Sequence, residues 1–336
     1  MIREALLYEK IGGERIQCHL CGHQCVVKQG KRGLCGVREN REGILHTLVY
    51  GKIIAENVDP IEKKPLFHVH PGSRSFSIAT VGCNFRCDFC QNYNISQMPR
   101  ESGDIAGHEM TPAGIVERAT SSGSRTIAYT YTEPTVYFEF AFDTARLAHE
   151  RGLKNVFVTN GYMTGETIEM IAPYLDAANV DLKSYREEFY RDYCGAHLMP
   201  VLDSLKKMKE LGVWIEVTTL VIPALNDGIE ELKEIAGFVY SLGAETPWHI
   251  SRFHPQYKMI TTPPTEAGVI LSALQIGREA GLKYVYVGNI PGSEGENTYC
   301  YECGKLLIER YGFYIKSMAL EGNACINCGK ILEGIF

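Results

Sequence analysis

Residues 76–96 read FSIATVGCNFRCDFCQNYNIS. The opening FSIATVG is apolar, partly β-branched and closed by glycine, the composition of a buried strand. Cys83, Cys87 and Cys90 follow at C-x3-C-x2-C spacing. Thiols set this closely, directly after a strand, put metal-binding chemistry at that strand's C-terminal end. Three thiolates are one short of a closed zinc site, and iron–sulfur clusters also ordinarily take four. The triplet therefore leaves one metal position open to a ligand, as a catalytic site needs.

Downstream, the pattern alternates. Strands are expected at TIAYTYTEP (126–134), NVFVTNG (155–161), AANVDLKS (177–184), VWIEVTTLVIP (213–223), TPWHISRFHP (246–255) and LKYVYVGNIPG (282–292). Helical patterns separate them. One starts at Thr111-Pro112 and stops at Gly123, another ends at Gly152, and a third sets Leu202, Leu205 and Met208 on one face. This succession predicts an α/β fold, a partial TIM-like (β/α)6 barrel, with a doubly wound sheet as the alternative. Either places the chemistry at the C-terminal strand ends. The expected division is a Cys-rich metal-binding segment at 1–72, the barrel at 73–292 and a zinc-ribbon-like segment at 293–336.

The chain has 336 residues and 12 cysteines. A net charge of −6 argues against a nucleic-acid footprint. No apolar run is long enough to cross a membrane. The N-terminus lacks the apolar stretch of a signal peptide, so a reducing cytoplasmic location is expected, where close-set thiols bind metal. Cys300 and Cys303 with Cys325 and Cys328 form two C-x2-C knuckles, each followed by Gly-Lys, which reads as a structural zinc ribbon capping one end of the barrel. The glycines are expected to turn the backbone so that its N–H groups face the thiolates. Cys18, Cys21, Cys25 and Cys35 suit zinc or a second iron–sulfur cluster; the lack of a ferredoxin-like run favours zinc. His19 and His23 read as flanking groups rather than ligands. Cys194 stands alone and reads as a small buried hydrophobe, with a catalytic thiol as the alternative. Tyr129, Tyr131 and Tyr162 either line a substrate cavity or pack the barrel.

The triplet after the first barrel strand resembles the radical S-adenosylmethionine (SAM) superfamily. The resemblance implies a [4Fe–4S] cluster on Cys83, Cys87 and Cys90. Its open iron would chelate SAM, and the reduced cluster would cleave SAM to a 5′-deoxyadenosyl radical. Phe89 matches the position that packs beside the adenine. YTYTEP resembles the Gly-Gly-Glu-Pro turn of the pyruvate formate-lyase activating enzyme branch: Glu133 and Pro134 match, and Tyr131 and Thr132 replace the glycines. Asn160 of TNG, Asp181 and Lys183 of DLK, His254 of FHP and Ile290 of GNIPG match further SAM-side or substrate-side positions. Val158 replaces a cation-binding Asp of the branch, and Glu216 stands where the branch has a SAM-contacting Arg, so neither contact is carried over. Stretches along nearly the whole chain, among them CHLCGHQCVVKQGKRGLCGVREN and NTYCYECGKLLIERYG, resemble the AmmeMemoRadiSam-system radical SAM enzyme. That implies association with AMMECR1-type and Memo-type proteins, a protein substrate, and an electron donor such as flavodoxin or ferredoxin. A glycyl-radical activase is the alternative function, and a non-catalytic iron–sulfur electron carrier a more distant one.

Overall fold

The computed structural model describes residues 1–290 and 292–336; Pro291 of the GNIPG stretch lies outside the described residues. One sheet of eight strands organises the chain: β1 (Ala55–Pro60), β2 (Arg74–Ala79), β3 (Thr126–Tyr129), β4 (Lys154–Thr159), β5 (Ala177–Asp181), β6 (Trp214–Val221), β7 (Trp248–Arg252) and β8 (Val285–Gly288). Strands β2 to β8 run parallel. Six helices connect them in turn: α1 (Pro112–Ser121), α2 (Phe138–Glu150), α3 (Gly165–Ile171), α4 (Met199–Glu210), α5 (Ile229–Leu242) and α6 (Ala267–Glu279). The strands lie in chain order without reversal. A doubly wound sheet reverses its order at a switch point, so that alternative is set aside. The sheet is mixed and does not close, with β1 and β8 at its edges.

The local causes are those in the sequence. Strand β3 is buried along its whole length, as a strand covered on both faces must be. Thr111 caps α1, its Oγ1 accepting from the Gly114 N–H at 3.0 Å, with Pro112 in the first turn. Leu202, Leu205 and Met208 of α4 are buried on one face. Strand β1 was not foreseen. It belongs to the N-terminal segment yet pairs antiparallel with β2 from Ala55↔Ala79 to Pro60↔Arg74.

The two ends of the sheet carry different loads. At the N-terminal strand ends, the buried Glu216 carboxylate accepts from the backbone N–H of Phe67 (3.0 Å) and His68 (2.8 Å), and bonds His249 Nε2 at 2.6 Å. That placement explains why Glu216 cannot stand in for a SAM-binding arginine, and it makes His249 a satisfied core histidine. The C-terminal segment docks on this same end. His68 Nδ1 bonds the Glu333 carbonyl at 2.7 Å, and Tyr284 donates to the Glu333 carboxylate at 2.7 Å. The N-terminal Cys-rich segment sits at the opposite end: Gly22 N–H donates to the Tyr162 carbonyl (3.1 Å) just beyond β4. No helix among the described residues is long and apolar enough to cross a membrane.

Candidate active site

The loop leaving β2 carries Cys83, Cys87 and Cys90, and three elements hold it. Asn160, after β4, donates from Nδ2 to Asn84 Oδ1 at 2.7 Å. Asn92 donates to the Tyr131 carbonyl at 2.7 Å, tying the loop to the end of β3. From the segment after β5, Cys194 and Tyr193 accept from the Arg86 and Asp88 N–H groups at 2.9 and 3.0 Å. This last segment, Tyr190–Cys194, is a π-helical turn, a form found often at functional sites. Gly195 ends it at φ +67°, with the Arg86 side chain where a Cβ would stand. Asn84, Asn92 and the 190–195 turn escaped the sequence reading; the asparagines flanking the cysteines were the available signal.

The Cys83, Cys87 and Cys90 sulfurs do not all lie within 4.8 Å of one another. They are too spread for one zinc ion, whose 2.3 Å bonds set tetrahedral sulfurs about 3.8 Å apart. In a cubane cluster each thiolate holds its own iron, so the sulfurs stand roughly 6 Å apart. The Phe85 N–H donates to Cys83 Sγ at 3.3 Å, and Cys90 Sγ lies 3.3 Å from Ser96 Oγ, contacts that suit ligating thiolates. The residues fit an iron–sulfur cluster.

Around the loop, the strand ends converge. Glu133 is buried; its Oε1 accepts from the Thr135 N–H (3.0 Å) and from the hydroxyls of Thr135 (2.5 Å) and Thr159 (2.7 Å). Its Oε2 accepts from Asn160 N–H at 2.8 Å and keeps acceptor capacity. Burial pushes this carboxyl up, against the hydrogen bonds that favour its charge. Lys183 Nζ bonds Asp181 Oδ2 at 2.8 Å and stands 5.8 Å from the Phe89 ring centroid. Burial opposes its charge, yet Asp181 and the Cys87 and Cys194 sulfurs hold its pKa well above the usual lysine value. Thr132 donates to the Thr80 carbonyl at 2.9 Å. Tyr131, in place of a glycine, adopts φ +62°, the left-handed conformation glycine accepts most easily. Its hydroxyl, bonded to Asp59 Oδ2 at 2.5 Å, and Lys64 Nζ, 4.5 Å above its ring, hold it there. Ile290 is half-buried against the core, and His254 is exposed on the loop after β7. That loop returns to the cysteines through Lys258 Nζ and Asp88 at 2.9 Å.

A Radical SAM superfamily model matches residues 77–239, which span the cysteine loop and β2 to α5. The chain belongs to the radical SAM superfamily. It is 48% identical over 335 residues, 99% of both chains, to the uncharacterized protein MJ0808 of Methanocaldococcus jannaschii. It is 24% identical to the pyruvate formate-lyase-activating enzyme of Clostridium pasteurianum, over 51% of this chain and 71% of the relative. Among solved structures, Streptococcus suis SuiB bound to precursor peptide SuiA superposes with TM-score 0.51 at 15% identity, over 68% of this chain and 51% of that one. Radical SAM membership makes the protein an enzyme and implies a [4Fe–4S] cluster with SAM.

Cys194 is fully buried beside the cluster loop, and its thiol, together with burial, raises the Cys87 pKa. Cys194→Ala is expected to keep the full iron content of the wild type, at a stability cost of about 1 kcal/mol from lost packing. Iron analysis and melting of the variant check this; loss of iron would make Cys194 a ligand.

The last four cysteines behave differently from the triplet. All four sulfurs of Cys300, Cys303, Cys325 and Cys328 lie within 4.8 Å of one another, with Cys300–Cys328 at 3.6 Å and Cys303–Cys325 at 3.8 Å. The two knuckles repeat one geometry. Gly304 and Gly329 take φ +70° and +73°, and each donates to the carbonyl of its knuckle's first cysteine at 2.8 Å. The glycines do permit the turn, but their own N–H groups go to carbonyls. The backbone N–H groups that face the sulfurs are those of Lys305 and Lys330, the residues after the glycines, toward Cys303 and Cys328, and that of Asn327, 3.4 Å from Cys325 Sγ.

Proposed function

We propose that this radical SAM enzyme abstracts a hydrogen atom from a residue of a peptide or protein partner. When bound, the [4Fe–4S] cluster and SAM supply reductive cleavage of SAM to a 5′-deoxyadenosyl radical. In this reading Cys83, Cys87 and Cys90 hold the cluster. Lys183, oriented by Asp181, pairs with the SAM carboxylate. The free acceptor capacity of Glu133 Oε2 takes the SAM ammonium, with Asn160 and Thr132 shaping the turn around it. Phe89 and Ile290 pack against the adenine, and His254 faces the substrate. The observation that carries the reading is the spread triplet of thiols at the C-terminal end of β2, among polar groups from the next three strand ends. The peptide in the SuiB complex supports a peptide substrate. AMMECR1-type and Memo-type proteins are the proposed partners, and flavodoxin or ferredoxin the electron donor.

Anaerobic reconstitution followed by dithionite and SAM should release 5′-deoxyadenosine. None from a fully loaded cluster would refute the reading. A non-catalytic electron carrier would show no SAM-induced change in its EPR spectrum. A second reading, a glycyl-radical activase, is supported by the likeness to the Clostridium enzyme. It predicts a glycyl-radical EPR doublet on a partner enzyme after turnover.

The ribbon is proposed to hold zinc, since its sulfur spacings of 3.6 and 3.8 Å match the tetrahedral edge. It lies at the strand ends opposite the cluster, so its role is structural. Cys303→Ser with Cys328→Ser should lose about one zinc per chain and expose 293–336 to protease. Formation of 5′-deoxyadenosine should stay within about twofold. Metal analysis, limited proteolysis and the SAM assay check this.

A further inference from the structure

We propose that Cys18, Cys21, Cys25 and Cys35 hold a second [4Fe–4S] cluster rather than zinc. The sequence spacing favoured zinc; the geometry points the other way. In every trio of these sulfurs at least one pair is farther apart than 4.8 Å, while the ribbon's four sulfurs all satisfy that limit. The ribbon thus serves as an internal standard for a single ion. The catalytic triplet likewise exceeds that limit, as thiolates that each bind a separate iron must.

The space between them is the second observation. The four cysteines line one partly open pocket of about 20 Å³ together with Leu20, Val27 and Arg38. Arg38 itself is buried and paired with Glu139. It donates from one terminal nitrogen to Cys18 Sγ at 3.1 Å, and its Nε has no partner among the described residues. A four-coordinate zinc offers no acceptor beyond its thiolates, whereas the inorganic sulfides of a cluster accept hydrogen bonds.

The position is functional rather than peripheral. Two hydrogen-bonded bridges connect this cage to the catalytic loop. His23 Nε2 lies 2.9 Å from the Asn84 carbonyl, the residue after Cys83. Arg100 donates to the Leu34 carbonyl at 2.5 Å and to the Phe85 and Asn84 carbonyls at 2.7 and 3.2 Å, linking the neighbour of Cys35 to the neighbours of Cys83. A redox-active cluster here stands on the same face as the chemistry, while the ribbon stands on the far end.

The assignment does not depend on SAM cleavage, and its test omits the catalytic cluster. Cys83→Ala, Cys87→Ala and Cys90→Ala are combined, and the chain is reconstituted anaerobically with iron and sulfide. The expected content is about four irons and four sulfides per chain, falling below about half an iron when Cys21→Ala and Cys35→Ala are added. Zinc in place of iron in the triple variant would overturn the proposal. Should the variant fail to fold, crystals of the reconstituted wild-type protein measured across the iron and zinc edges decide it. Iron anomalous density inside the Cys18 cage supports a cluster, and zinc density or none refutes it.

Discussion

Cys83→Ala will reduce 5′-deoxyadenosine formation by at least about 10³-fold, some 4 kcal/mol in activation free energy, at unchanged overall fold. Two thiolates cannot hold a cubane whose remaining iron must stay open, so the variant loses the cluster instead of tuning it. The replaced sulfur is half-buried in the loop after β2, at the edge of the core, and truncation there leaves the sheet and its helices in place. The melting temperature should therefore move by only a few degrees, while the iron content falls by about four per chain. Cys87→Ala and Cys90→Ala should match it. Cys87→Ala is the sharper member of the set because Cys194 is its neighbour. If Cys87→Ala kept iron and activity while Cys87→Ala with Cys194→Ala lost both, Cys194 would be an alternative ligand. Retention of SAM cleavage by Cys83→Ala, measured by chromatography of the nucleoside product, would remove the triplet from the mechanism.

The parts of this picture that were legible in sequence are the local ones. Strand and helix alternate with clear periodicity, and Thr111, Gly123 and Gly152 mark ends the structure keeps. The cysteine groups were visible because thiol spacing is itself a local signal. What stayed hidden depends on residues distant in the chain. Strand β1 reads AENVDP, with no alternation and a terminal proline, and it is a strand because β2 offers it a free edge. Tyr131 carries no sign of its left-handed backbone; Asp59 and Lys64, some seventy residues away, hold it. The metal in the N-terminal cage could not be read from 2-3-9 spacing, because cluster and zinc differ in how far apart the folded chain holds the sulfurs.

Gly82→Ala is expected to disturb the catalytic triplet and the N-terminal cysteine cage at once. Gly82 sits between β2 and Cys83 at φ +101°, where an L side chain is strained. A methyl group there would meet Val37 Cγ1 at 2.6 Å and the Cys35 carbonyl oxygen at 3.2 Å. Val37 is fully buried and Cys35 belongs to the N-terminal cage, so neither can retreat without moving the segment that carries that cage. Overpacking and backbone strain together should cost about 3 kcal/mol, or roughly 4 °C in melting temperature. Adding Val37→Ala removes the 2.6 Å contact but leaves the φ strain and the carbonyl contact. The double variant should recover about half of the lost stability, a coupling of more than about 1 kcal/mol between the two sites. Gly165→Ala, in the first turn of α3 with open space at its Cβ, is the control and should be neutral or stabilising by up to about 1 kcal/mol. Calorimetry of the wild type, Gly82→Ala, Val37→Ala, the double variant and Gly165→Ala, with iron content for each, tests the argument. A Gly82→Ala chain that melts with the wild type and carries full iron would show that the two cysteine loops do not press on one another at this glycine, leaving only the His23 and Arg100 hydrogen bonds to connect them.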